Sequence, residues 1–238
     1  MPTFKQRSTQ DELMDDFSLS HEIIDPIMDE LEVVNKLLGG YAVFFDAFKK
    51  IELKDGMIIS DWGCGGGDSL RVLAKWARKR NLKIKLIGVD ATESAIEYAK
   101  QKSFDFPEIS YILADVMSDE LIQNQFDIVI SSLFTHHFVD SDWIKLIQKM
   151  SECASQYVII NDLHRHWFAY YSIGIITSIF SKSEMVKHDS KVSVLRSFKR
   201  NELLYLIQKA QISKFIIKWM WAFRWQIIIN TNRKLTSI

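Results

Sequence analysis

Four of the chain's nine glycines fall within five positions, in the run Asp61-Trp62-Gly63-Cys64-Gly65-Gly66-Gly67-Asp68. An apolar stretch, Met57 to Trp62, precedes the run, and a helical pattern, Leu70 to Lys79, follows it. Glycines at a strand-to-helix junction let the backbone turn tightly and approach a ligand with no side chain in the way. The helix beyond offers free N–H groups and a positive dipole end. A tight turn alone needs one or two glycines, so four point to a ligand.

The residues around the glycines narrow the choice. A dinucleotide fingerprint read from Gly63 requires a third glycine where Asp68 stands, and an acidic side chain is a poor neighbour for a pyrophosphate. The Gly-Lys-Ser/Thr ending of a phosphate-cradling loop is absent. The spacing Asp61-x-Gly63-x-Gly65-x-Gly67 suits a ligand without phosphate. Asp61 can attract an ammonium group, and the loop N–H groups can hold a carboxylate.

Short apolar runs alternate with helical patterns after the loop. Strands are predicted at Lys85 to Asp90, Ile109 to Ala114, Phe126 to Ser131 and Tyr157 to Asn161, with helices at Glu93 to Lys102 and Trp143 to Ala154. This alternation implies a doubly wound α/β domain with helices on both faces of a parallel sheet. Ligands of such folds bind at the strands' C-terminal edge, where strand order reverses. Residues 1–51 read as an N-terminal helical extension, with Ile24, Ile27, Met28, Leu31, Val34 and Leu38 at helical spacing and Gly39-Gly40 as a stop. Packing on the main domain and closure over a ligand are both open to it. Residues 52–238 form the main domain, with an insertion at 163–198. Its tail, Lys214 to Trp221 and Phe223 to Asn230, is predicted to be an antiparallel hairpin after a helix at Glu202 to Ala210.

In order down the chain these motifs resemble the class I S-adenosylmethionine (SAM)-dependent methyltransferases. That family carries an acidic residue followed by Gly-x-Gly-x-Gly, as in DWGCGGGDS here, and the match runs from about Phe44 to Asp162. The resemblance implies SAM as cofactor and a seven-stranded sheet whose last strand is antiparallel. It places Asp61, Gly63, Cys64, Gly65 and Gly67 around the cofactor's amino-acid end. Asp90 in LIGVDAT, with Ala91, falls at the ribose hydroxyls. Asp115 in ILADVM, with Val116, falls beside the adenine. Ser131 and Leu133, in FDIVISSLFTHHF, would line the methyl-transfer site.

Four of the six histidines lie in two pairs, His136-His137 after the fourth strand and His164-x-His166 after the fifth. Both pairs are expected at the ligand edge, and histidine is the natural general base near neutral pH. All four stay open as candidates, beside the alternative that they cap and pack. No metal is expected: His164, His166 and Asp162 make an incomplete ligand set, and a sulfonium departs as a neutral group. The run WFAYYSIGIITSIF, Trp167 to Phe180, reads as either an apolar cover for a lipophilic substrate or a core helix. Arg196 beyond it is a candidate for meeting a carboxylate. The stretch from HRHWFAYYSIGII through VKHDSKVSVLRSF resembles small-molecule methyltransferases of bacterial polyketide and quinone-type pathways. That resemblance implies O- or C-methylation of an aromatic or polyketide-like acceptor.

Composition excludes other classes. Lysine plus arginine and aspartate plus glutamate both number 30, so the basic surplus of a nucleic-acid binder is missing. The Asn/Asp-Pro-Pro-Tyr element of amino-methylating nucleic-acid enzymes is also absent. Two cysteines, Cys64 and Cys153, make neither a disulfide framework nor a zinc site. No apolar run reaches the ~20 residues of a membrane span, and the polar N-terminus lacks the apolar core of a secretory signal. A cytoplasmic location is expected by default, with peripheral membrane contact still open. The alternatives to a methyltransferase are a nucleotide-dependent oxidoreductase of similar architecture and a non-catalytic partner subunit. The latter draws on Trp219, Trp221 and Trp225 as interface or core residues.

Overall fold

A computed structural model describes residues 2–15, 19–121 and 125–232. Helices α1 (His21–Leu37) and α2 (Ala42–Phe48) precede the first strand, β1 (Ile58–Trp62). Then follow α3 (Asp68–Arg78), β2 (Lys85–Asp90), α4 (Glu93–Lys102), β3 (Ile109–Leu113) and β4 (Phe126–Ser132). The remainder is α5 (Asp140–Cys153), β5 (Ala154–Leu163), α6 (Trp167–Phe180), α7 (Glu184–Arg196), α8 (Arg200–Lys209), β6 (Phe215–Met220) and β7 (Arg224–Asn230).

The seven strands form one sheet in the order β3-β2-β1-β4-β5-β7-β6. The first five are parallel, while β7 runs antiparallel to both β5 and β6. The central strands are buried on both faces, which explains why β1 and β4 read as nearly unbroken apolar runs. On one face Trp143, Leu146, Ile147 and Met150 of α5 meet Leu203 and Leu206 of α8. Their three- and four-residue spacing is that of a helix burying one stripe. On the other face, α2 contributes Phe44 and Phe48, and α3 contributes Leu70 and Leu73.

Strand order reverses between β1 and β4, so their C-terminal ends open a crevice. Three elements close it. Helix α1 packs against α4, and α6 packs against α7. The segment before α1 lies along α7, where Ser8 N–H donates to the Leu195 carbonyl at 3.0 Å. Strand β5 runs two residues past its predicted end because β7 pairs with it as far as Leu163. That extension sets where α6 begins. Among the described residues, no helix is long and apolar enough to cross a membrane.

Candidate functional site

A single cavity of about 870 Å³ runs along the strand ends from the glycine loop to the 135–137 turn. Gly63, Cys64 and Gly65 line it, together with Asp61, Asp90, Ala91, Asp115, Val116 and Leu133. Gly63 has φ +68°, and a Cβ there would stand 2.2 Å from the Phe134 ring, so only glycine fits. Asp90 faces the loop. One of its oxygens accepts the Gly65 N–H at 2.8 Å and the other accepts the Thr92 N–H at 2.9 Å. Asp115 is fixed by the Met117 N–H at 2.8 Å. Cys64 is a buried thiol; burial, followed by the Asp90 and Asp61 charges, raises its pKa.

Asp61 is almost fully buried, and its Oδ1 has no hydrogen-bond partner. Burial, with Asp68 and Asp90 adding to it, holds its pKa well above the ordinary carboxyl value. An orphaned carboxyl oxygen at a strand end is a cost that a cationic ligand group removes. The loop therefore fits a ligand carrying an ammonium group.

Two of the residues predicted at the cofactor lie outside the cavity lining. Ser131 is fully buried and donates from its Oγ to the Trp62 carbonyl at 2.9 Å. Neighbouring residues on a strand face opposite ways, and it is Ser132 that lines the cavity. Gly67 (φ +71°) packs under Tyr111, whose hydroxyl would be 2.3 Å from an added Cβ.

Helix α1 forms part of this wall, with Met28, Leu31, Glu32 and Asn35 facing the cavity. Asp68 accepts Asn35 Nδ2 at 3.0 Å and Tyr41 Oη at 2.6 Å. Burial and then the Asp68 charge push the Tyr41 pKa up, so its proton stays in that bond. Arg71 of α3 donates to the Gly66 carbonyl at 2.6 Å and to Glu32 at 2.5 Å. Buried Arg224 of β7 reaches Asn35 Oδ1 at 3.1 Å. Apart from Arg71 and Gly66, which are 5 residues apart, these partners lie 27 to 189 residues apart in sequence.

The far end of the cavity is built around the first histidine pair. Asp162, at the end of β5, holds His136 Nδ1 at 2.7 Å and accepts the Thr135 hydroxyl at 2.6 Å. Burial favours the neutral ring of His136, but the Asp162 charge and hydrogen bond outweigh it, so its pKa is pushed up to about 9. His137 Nδ1 lies 2.7 Å from Asp15. Glu12, buried beside both rings, lies 3.4 Å from His136 Nε2 and 4.0 Å from His137 Nε2. Arg196 meets Asp15 at 2.9 Å, so the carboxylate it finds in this structure belongs to the chain itself.

The second pair lies outside the cavity lining. His164 accepts the Trp219 indole N–H at 3.3 Å. Burial, and then His166, lower its pKa to about 4. His166 caps α6 by accepting the Phe168 N–H at 3.2 Å and stacks on Phe223. Asp162 turns to His136 rather than to this pair, so the ligand set weighed from sequence is not assembled. Helix α6 is not the core helix of one of its two readings: of its residues only Ala169 and Thr177 are buried. Ala169, Ser172, Ile173 and Ile176 line the cavity, while Trp167, Tyr171, Ile175 and Ile179 are exposed at four-residue spacing. Of the hairpin tryptophans, Trp225 is buried, whereas Trp219 and Trp221 are exposed.

A parallel sheet extended by an antiparallel seventh strand, in the order 3-2-1-4-5-7-6, with a glycine loop after β1, is the Rossmann-like methyltransferase fold. The family model described as a methyltransferase domain matches residues 59–156. Solved structures that share the fold include three methyltransferases. A SAM-dependent methyltransferase from Aquifex aeolicus is 17% identical, with a TM-score of 0.58 over 78% of this chain and 88% of its own. The plantazolicin methyltransferase, in complex with a triazolic desmethyl analogue and S-adenosylhomocysteine (SAH), is 19% identical, with a TM-score of 0.54 over 80% and 66%. Magnesium protoporphyrin IX methyltransferase from Synechocystis with bound SAM is 14% identical, with a TM-score of 0.50 over 87% and 81%. No curated protein matches the sequence.

Proposed function

We propose that this chain is a SAM-dependent methyltransferase that moves a methyl group to a small, largely apolar acceptor. The observation that carries the reading is the continuity of one cavity between two chemically different ends. At one end Asp61 offers an unpartnered buried oxygen to an ammonium, and Asp90, beside the glycine loop, is the residue we expect to meet the ribose hydroxyls. Bound SAM supplies a methyl group on a sulfonium, whose departure leaves a neutral thioether.

At the other end His136, His137 and Glu12, together with Asp15, Asp189, Ser193 and Arg196, supply polar groups, while Ile173, Ile176, Val186 and Val194 supply apolar wall. Such walls favour a ring or polyketide-like molecule whose hydroxyl or acidic carbon turns toward the histidines. Positioning supplies much of the rate, because a bound acceptor held in line replaces a bimolecular encounter. The plantazolicin enzyme and the protoporphyrin enzyme, both named for small-molecule acceptors, support this reading of the acceptor class.

The test is methyl transfer itself. Purified protein is incubated with methyl-labelled SAM and a panel of phenols and β-keto thioesters. The label is expected in a small organic product, at a rate that falls in the His137→Ala variant. Transfer of the label to nucleic acid or protein instead would contradict the acceptor class.

A further inference from the structure

Buried polar atoms without partners are rare in folded proteins, and each calls for a reason. Glu12 Oε1 and His136 Nε2 make no hydrogen bond and face each other as a buried ion pair at 3.4 Å. The side chains of Glu12 and His136 are 6% and 1% exposed, so water does not satisfy them from bulk. His137 completes the group: one atom each from Glu12, His136 and His137 lie within 4.8 Å of one another. All three residues line the cavity.

We propose that Glu12, His136 and His137 bind a divalent first-row transition-metal cation in the cavity wall. Both histidines are already arranged as ligands. The Nδ1 of each lies 2.7 Å from a carboxylate, Asp162 for His136 and Asp15 for His137, leaving each Nε2 for Glu12's side. A carboxylate behind a ligating imidazole fixes its tautomer and raises its basicity. Metal bonds of about 2.1 Å at tetrahedral angles put ligand atoms about 3.4 Å apart. Glu12 Oε1 stands 3.4 Å from His136 Nε2, and Glu12 Oε2 stands 4.0 Å from His137 Nε2.

Glu12, Asp15 and Asp162 stand around the two rings, with Arg196 bonded to Asp15 and Arg7 bonded to the His136 carbonyl. Two imidazoles and one carboxylate suit zinc, iron or cobalt better than magnesium, and three protein ligands leave positions open. The proposal rests on the methyl-transfer reading only for what fills those positions, an oxygen of the acceptor.

Metal uptake tests the site without any activity assay. Untagged protein is stripped with a chelator, loaded with Zn²⁺ or Co²⁺ and desalted, and its folding is checked by circular dichroism. One retained equivalent is expected, with visible Co²⁺ bands that vanish in Glu12→Gln and His137→Ala and persist in His164→Ala. Asp15→Asn keeps all three ligands and should weaken Zn²⁺ binding about 10- to 100-fold. If the ligand variants misfold, Asp15→Asn decides alone, and an unchanged Kd overturns the proposal. No retained metal, or equal uptake by every variant, overturns it as well. SAH calorimetry on the same preparations separates the two claims. Metal without SAH binding would sink the methyl-transfer reading, and SAH without metal would sink only the site.

Discussion

Asp162 holds His136 at two points: its Oδ1 lies 2.7 Å from the ring Nδ1, and its Oδ2 accepts the His136 backbone N–H at 3.0 Å. Both residues are buried, and the Thr135 hydroxyl gives the carboxylate a further bond. Removing one member of a buried, hydrogen-bonded charge pair typically costs about 3–5 kcal/mol. Asp162→Asn should therefore lower the unfolding free energy by roughly that amount in metal-free urea titrations. A loss below about 1 kcal/mol would show that the pair is not what orders the 135–137 turn.

The two histidine pairs should part company in kinetics. His136 and His137 line the cavity, whereas His164 and His166 bind Trp219 and the start of α6. With an accepted substrate, His137→Ala is expected to lower kcat by 10²-fold or more, in the range of lost proton-handling groups. His164→Ala should leave kcat within a few-fold of wild type. The reverse order would move the acceptor site to the other side of β5.

Tyr41 ties the N-terminal extension to the glycine loop through its 2.6 Å bond to Asp68. Tyr41→Phe deletes the hydroxyl and little else. A hydrogen bond to a charged group contributes about 1.5–3 kcal/mol. Loss of stability in that range is expected in urea, with faster limited proteolysis before residue 50. Proteolysis at the wild-type rate would mean that α1 and α2 are held by packing alone.

Gly63 combines a left-handed backbone with contact to the Phe134 ring. Gly63→Ala should cost at least the ~1–2 kcal/mol of left-handed strain, and Phe134 must move out of the added methyl's way. The melting temperature should fall and SAH affinity should drop with it. A variant with wild-type affinity would separate the loop's conformation from ligand binding.

The parts legible in the sequence are those coded locally. The glycine run, Asp90 and Asp115 sit at ends of strands whose apolar patterns are unmistakable, and all reach the cavity except Gly67. Ser131 misleads because a strand's two faces differ by one residue, and the pattern β4 presents is apolar on both. Glu12, Asn35, Tyr41 and Arg224 give no local signal. Each is an ordinary polar residue that acquires a partner only when the N-terminal helices and β7 fold back over the strand ends. The choice between histidine pairs depends on the same folding back. It is β7 that extends β5 to Leu163 and carries His164 past the crevice.

Calorimetry with SAH tests the central claim most directly, since it asks only whether the loop and Asp90 hold the nucleoside. One-to-one binding is expected. Asp90→Ala should weaken it about 10- to 100-fold, the worth of lost hydrogen bonds to a charged group. Absence of heat with wild-type protein, or unchanged affinity in Asp90→Ala, would contradict the account.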